Sequence, residues 1–226
     1  MKSIAPFFAM VALSVLIVWA ASFAADGKFV PLFDGKSLDG WTVQGGWGTY
    51  VVEDNMIVGT TSEGSPNTFL CKGPFGDFEL QFDVLCDVEL NSGVQIRSHI
   101  YKEDTPFSIG GRERTAKTGE VYGYQVEITD QSRGVAGGIY DERRRGWLDD
   151  LSDNGLRAKQ AFKDGEWNHY RIVARGDRIQ TWVNGVPCAD LQDSMDSSGF
   201  IGLQVHSVRG GHTYKVRWKN IHIKEL

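Results

Sequence analysis

Cysteine is scarce in this chain: only Cys71, Cys86 and Cys188 occur, and no two of them form a C-x-x-C pair. An odd count leaves at least one thiol unpaired, so the sequence does not read as a disulfide-stapled scaffold or a thiol redox motif. Cys86 continues the apolar phase of Phe78, Leu80, Phe82 and Val84. It therefore reads as a small core residue, with a Cys71–Cys86 bridge as the lesser alternative. Cationic excess is also missing. A net charge of -5 argues against nucleic acid or an anionic membrane surface as partner. Low-complexity tracts, long runs of one charge sign and amphipathic helical periodicity are absent from the mature chain.

The one long apolar run lies at the start. Lys2 precedes a nearly uninterrupted apolar stretch from Phe7 to Ala21, and Ser22-Phe23-Ala24 places small residues where a signal peptidase reads. Residues 1–24 are thus expected to be a signal peptide cleaved near Ala24, leaving residues 25–226 as one exported domain, periplasmic or secreted and free of the membrane. An uncleaved anchor is the alternative, because the run approaches the roughly 20 apolar residues that cross a bilayer. No cysteine stands near the cleavage region, which argues against a lipid-anchored start.

What remains is rich in glycine, with 27 residues, and in short apolar alternations broken by Gly, Asn and Asp. Asp77 to Glu89 alternates cleanly, and Trp167 to Ala174 and Arg178 to Val183 precede Asn184-Gly185, a pair suited to the positive φ angles of a tight hairpin turn. Lys215 to Lys224 closes the pattern with a break in phase that suggests a bulge. These signals predict an all-β sandwich of two curved antiparallel sheets built from about a dozen strands. Two stretches, Glu103 to Gly119 and Gln131 to Gly165, are longer than hairpin loops usually are, and long loops on a rigid sheet often carry function.

Three strands separate polar from apolar residues in a way that suggests a site. In Tyr122 to Asp130, Tyr124, Val126 and Ile128 share one face while Gln125 and Glu127 share the other. Gly93 to His99 sets Gln95, Arg97 and His99 against Val94 and Ile96, and Gly199 to Val208 sets Gln204 and His206 against Ile201, Leu203 and Val205. Placed in one curved sheet, these side chains line a common concavity with an acid, a guanidinium, an imidazole and several amides, which is chemistry suited to sugar. Tyr140, Asp141, Glu142, Arg144 and Trp147 fall in the second long stretch, where aromatic faces can stack on sugar rings and Arg can grip vicinal hydroxyls or carboxylates. Trp47 and Trp147 read as exposed platforms; Trp41, Trp167, Trp182 and Trp218 read as core.

The segments F-D-G-K-S-L-D-G-W, N-S-G-V-Q-I-R-S, G-Y-Q-V-E-I, G-G-I-Y-D-E-R-R-R-G-W-L, G-E-W-N-H-Y-R-I, W-V-N-G and G-F-I-G-L-Q-V-H-S occur in that order across nearly all of the mature chain. Together they resemble the 3-keto-disaccharide hydrolase domain family. The resemblance implies a concanavalin A-like jelly-roll sandwich, a carbohydrate partner, and cleavage of glycosides already oxidised to a ketone at C3. Such a ketone acidifies the C2 proton, so a base can form an enolate that expels the glycosidic oxygen from C1, after which water adds. Glu127 or His206 is the candidate base, the other of the two supplies the proton to the leaving group, and Arg97 is the candidate partner of the oxyanion. Gln95, Gln125, Gln204, Tyr140, Asp141, Glu142, Arg144 and Trp147 are candidate substrate contacts.

Other chemistries remain open at this stage. Ordinary hydrolysis by two carboxyl groups could use Glu127 with Asp141 or Glu142, but the E-x-D-x-x-E pattern of laminarinase-like enzymes is missing. A divalent metal could be held by Glu127, Asp141, His206 and neighbouring amides, yet no spacing marks a metal site. A non-catalytic glycan-binding module is the alternative from another class. The leader has a direct check: the N-terminus of exported protein should begin at or near Ala25, and an intact Met1 would overturn the cleavage.

Overall fold

The computed structural model describes residues 27–226, so the leader expected at residues 1–24 lies outside the described residues. The strands, numbered in chain order, are β1 (Val30–Pro31), β2 (Thr42–Gly45), β3 (Thr49–Glu53), β4 (Met56–Thr60), β5 (Thr68–Phe75), β6 (Phe78–Cys86), β7 (Ser92–Ile100), β8 (Thr105–Ile109) and β9 (Arg112–Ala116), followed by β10 (Val121–Ile128), β11 (Ile139–Glu142), β12 (Gly146–Asp149), β13 (Asn168–Arg175), β14 (Arg178–Val183), β15 (Val186–Gln192), β16 (Gly199–Val205) and β17 (Lys215–Glu225). They exceed the expected dozen because both long stretches contain structure. Glu103 to Gly119 folds into the β8–β9 hairpin, and Gln131 to Gly165 holds β11, β12 and a five-residue helix, α1 (Gly155–Lys159), too short to carry a readable period.

Two sheets stack as an all-β jelly-roll sandwich. The back sheet runs β15-β14-β13-β6-β17-β4-β3, with β1 added on β17; the front sheet runs β12-β11-β10-β7-β16-β5-β2. The long antiparallel ladders follow from period-2 alternation. In β6, Phe78, Leu80, Phe82, Val84 and Cys86 are all buried while the residues between them are only partly so. They pack with Tyr170, Ile172, Val216 and Trp218 of the back sheet, and meet Val94, Ile96, Tyr124, Val126, Leu203 and Val205 of the front sheet in one core. Phe82 stacks on Tyr170 at 5.2 Å between ring centroids. Each such large apolar side chain contributes about 1.5–3 kcal/mol when removed from water. Asn184-Gly185 turns β14 into β15 with positive φ at both residues, and the break in phase in β17 is a register shift between Lys219 and His222.

Several sequence expectations are corrected here. All three cysteines are buried free thiols; Cys86 belongs to the main core and Cys71 to a smaller cluster with Phe69 and Val121, so they form no bridge. Trp41 and Trp218 are buried as expected. Trp167 and Trp182 are instead half-buried, with Lys219 and Arg171 lying over their rings.

Arg97 is the larger correction. Opposite β10, Tyr122 pairs with His99 and Tyr124 with Ile96, so Arg97 and Ser98 together face Gly123. This is a β-bulge, and Arg97 adopts φ 46° within it. The extra residue breaks the alternation and turns Arg97 away from the polar set it shares in sequence with Gln95. Its fully buried side chain donates Nη2 to Asp77 Oδ1 at 2.7 Å, Nη1 to Gly176 O at 2.7 Å and Nε to Gly76 O at 2.9 Å. The guanidinium thus ties β7 to the turns after β5 and β13. Arg97→Met should cost about 2 kcal/mol of unfolding free energy in urea titration, because it leaves the Gly76 and Gly176 carbonyls without their donor. A change below about 0.5 kcal/mol, the range of ordinary surface substitutions, would overturn this role.

Candidate functional site

The outer face of the front sheet carries a row of amides that ends on a carboxylate. Gln125 of β10 pairs across the ladder with Gln95 of β7, which pairs in turn with Gly202 of β16. Gln95 Nε2 donates to Gln125 Oε1 at 2.9 Å, and Gln204 Nε2 donates to the same oxygen at 2.8 Å. With its oxygen taken twice, Gln125 must aim its amide nitrogen the other way, and Nε2 donates to Glu127 Oε2 at 2.9 Å. Asn91 Nδ2 donates to the other carboxylate oxygen, Oε1. Ser98 Oγ closes the far end by donating to Gln95 Oε1 at 2.6 Å. Gly93 lies opposite Glu127, and a Cβ there would come within 2.6 Å of the Gln125 side chain. The absent side chain is what lets Gln125 lie down across the sheet.

Above this row opens a cleft of about 330 Å³, at the lower end of the range for small-ligand sites. Its inner part is formed by Asn91, Gln125, Glu127, Arg133, His206 and Ser207. His206 Nδ1 meets Ser207 O at 2.7 Å. As that carbonyl can only accept, Nδ1 carries the hydrogen and Nε2 keeps its lone pair in the neutral ring. Burial pushes the imidazole below its usual pKa, with the Arg133 charge acting in the same direction and the Ser207 contact opposing. Burial raises the Glu127 carboxyl, against the pull of Asn91, Gln125 and Arg133. Arg133 therefore acts electrostatically on both groups.

A second carboxyl joins the same cleft from β11. Glu142 accepts from Asn67 Nδ2 at 3.3 Å, and Asn67 Oδ1 in turn accepts from Ser207 N at 2.9 Å. Burial, reinforced by the charge of Glu127, pushes Glu142 up to about 7 despite Arg143 beside it. On the same face of β11, Tyr140 forms an aromatic wall with Trp147, edge to face at 5.2 Å, and the β8–β9 hairpin adds Phe107, Ile109 and Arg114 to the lining.

Of the residues picked from sequence, the structure brings Gln125, Glu127, Tyr140, Glu142, Trp147 and His206 to this one cleft. Gln95 and Gln204 lie fully buried beneath it and reach it only through Gln125. Three do not line it. Arg97 is turned inward by the bulge. Asp141 pairs with Tyr124 and so shares the inner face, fully buried and held by Arg144 and Arg145. Arg144 spans Asp141 and Asp196 and lies over the rings of Tyr122 and Tyr124. Trp47, though exposed, is not part of the cleft.

Sequence reasoning missed Asn67, Asn91, Arg114, Arg133 and Arg143 as site residues. Asn91 and Arg143 stood within quoted motifs, and Arg114 and Arg133 within stretches flagged by their length; Asn67 had no signal, because tertiary folding alone places it. Among the described residues no three His, Cys, Asp or Glu side chains gather as metal ligands, so the set proposed around Glu127, Asp141 and His206 does not fit a protein-ligated ion. Nor does any helix among them have the length and apolarity to cross a membrane.

A jelly-roll sandwich with an open polar cleft, carboxyl groups, amides and an aromatic wall defines a carbohydrate-interacting domain. The chain belongs to the 3-keto-alpha-glucoside-1,2-lyase-like domain family, whose model matches residues 28–224. No curated protein matches it. Among solved structures it is similar to a candidate glycosyl hydrolase from Parabacteroides distasonis, at 21% identity and TM-score 0.56 over 88% of this chain and 100% of that one. It also resembles a galectin-like protein of unknown function from Bacillus subtilis, at 11% identity and TM-score 0.55 over 89% and 97% of the two chains. Carbohydrate binding module CBM66 from Bacillus subtilis matches at 14% identity and TM-score 0.52, over 82% and 96%. These likenesses establish the fold.

The raised Glu142 carboxyl has a measurable consequence. It ionises near 4.5 when unfolded and about 7 when folded, so its contribution to stability is full below about 4.5 and is lost as pH rises to 7. Glu142→Gln should lessen the fall in urea midpoint between pH 5 and pH 8. An unchanged fall would contradict the buried, partly protonated state.

Proposed function

We propose that this domain cleaves the glycosidic bond of sugars carrying a ketone at C3, by elimination followed by hydration. The observation that carries the reading is the pairing, in one cleft, of an imidazole with a free Nε2 and a depressed pKa with carboxyl groups whose pKa is raised. Opposite shifts in groups that line one cleft are what a base and an acid need in order to work at the same pH.

In this scheme His206 Nε2 removes the proton from C2. The electron pair moves toward the C3 oxygen, and the enolate charge develops beside Arg133, which takes the part that Arg97 is too buried to play. Collapse of the enolate breaks the bond between C1 and the glycosidic oxygen, and Glu127 gives that oxygen its proton. Water then adds to C1 of the unsaturated ketone, returning a proton to Glu127, while the imidazolium returns one to C2. Atoms balance as a net hydrolysis, and release before the water step would make the same site a lyase. Asn91 and Gln125 fix the carboxyl of Glu127, and Tyr140 and Trp147 offer faces on which a ring can rest. Removal of the 24-residue leader would place this activity outside the cytoplasm.

A glycan-binding module without turnover is the second reading, supported by the likeness to a carbohydrate binding module and by the 44% exposure of Trp147 in the cleft. Incubation with a 3-keto-glucoside in deuterated buffer, with and without chelator, separates the two. The expected result is release of the leaving group with deuterium at C2, reduced at least about 100-fold by either Glu127→Gln or His206→Ala. Tight binding of glycans with neither release nor exchange would establish the module instead.

A further inference from the structure

The cleft has two chemically different ends, and the outer one bears on what leaves. The β8–β9 hairpin belongs to neither large sheet. Along β8, Thr105, Phe107 and Ile109 are the more covered residues, and Pro106 and Ser108 the exposed ones. Phe107 and Ile109 line the cleft, and Arg114 stands directly opposite Phe107 in the hairpin register. Ile109 is anchored against β12 at Gly146, where a Cβ would lie 3.0 Å from its Cγ2. The hairpin thus presents an aromatic ring and a guanidinium side by side, next to Tyr140 and Trp147.

The cations of the cleft are not equivalent. Arg143 pairs with Glu120 at 3.2 Å and with Glu142 at 3.9 Å, and Arg133 lies 3.6 Å from Asp130. The Arg114 guanidinium has no ion pair or side-chain hydrogen bond among the described residues, although it lines the cleft. An unneutralised guanidinium beside a ring is a fork suited to a carboxylate carried on a flat or ring-shaped group. In the proposed reaction the reacting sugar is held at Glu127 and His206, which leaves the departing ring to the part of the cleft lined by the hairpin.

We infer that the leaving-group end of the cleft selects glycosides whose departing ring bears a carboxylate, held by Arg114 with the ring against Phe107 and Trp147. The inference rests on the preceding reading for the orientation of the glycoside, but not for the binding itself. The shared chemistry is a ring carboxylate, and an aromatic acid and a uronic acid are its two sources.

The test compares the 3-keto-glucoside of 4-hydroxybenzoate with that of its carboxamide, and a 3-keto-glucosyl glucuronate with its neutral glucose counterpart. At low salt, kcat/KM for the acid should exceed that for its neutral partner at least about tenfold in one pair, the strength of one charge-assisted contact. Arg114→Gln should bring the ratio to about one, and 0.5 M salt should shrink it in the unmodified protein. The pair that shows the preference identifies the source. In parallel, binding of the same compounds is followed by tryptophan fluorescence, with Trp147→Phe as control. Preference in binding that Arg114→Gln abolishes, without turnover of any compound, would sustain this inference and sink the proposed reaction. Equal kcat/KM and equal affinity for acid and neutral partners would overturn it.

Discussion

A carboxyl group can be held in a nearly dry sheet face only if donors reach it there, and Gln125 is the residue that links it to the buried amides beneath. Its oxygen accepts from two buried glutamines and its nitrogen donates to Glu127, so the orientation of the amide is decided by its neighbours. A chain of this kind is cooperative: each bond fixes the rotamer on which the next depends. Ser98 and Asn91 close its two ends, one on Gln95 and the other on Glu127. The cleft-facing surface is therefore set from below, by Gln95, Gln204 and Ser98, which are fully buried.

The opposite side of the same strands explains why that row stays in register. Tyr124, Asp141, Arg144, Arg145, Asp193 and Asp196 form a network of ion pairs and rings beneath β10 and β11. Desolvation makes such networks poor sources of net stability, but any shift that breaks one partner leaves a charge stranded. Their effect here is to make displacement of β11 expensive. Tyr140 and Glu142, which alternate with Asp141 along that strand, inherit its position.

Much of this was legible in the chain because alternation is a local property. Tyr124, Val126 and Ile128 do face the core, Gln125 and Glu127 do face the cleft, and Asn184-Gly185 does make its hairpin turn. Family motifs carried the fold further than periodicity could. What failed, failed where a period is interrupted. One added residue at Arg97 reversed the facing of that side chain, and no local signal distinguishes a bulge from a regular strand with a charged residue in it. As part of a long loop, Asp141 would share a surface with Tyr140 and Glu142; as part of a strand, it alternates with them and faces inward. Asn67 and Arg133 come from distant segments, and only the stacking of strands brings them to Glu142 and His206.

The β8–β9 hairpin is joined to the sandwich by its two ends and rests on β12 through Ile109. No residue of the amide row, and neither Glu127 nor His206, depends on it for a hydrogen bond. The rim of the cleft and the hydrogen-bonded row beneath it are thus carried by separate pieces of chain. Some twelve codons, Thr105 to Ala116, can therefore be rewritten to reshape the rim of the cleft while the hydrogen bonds underneath are left alone.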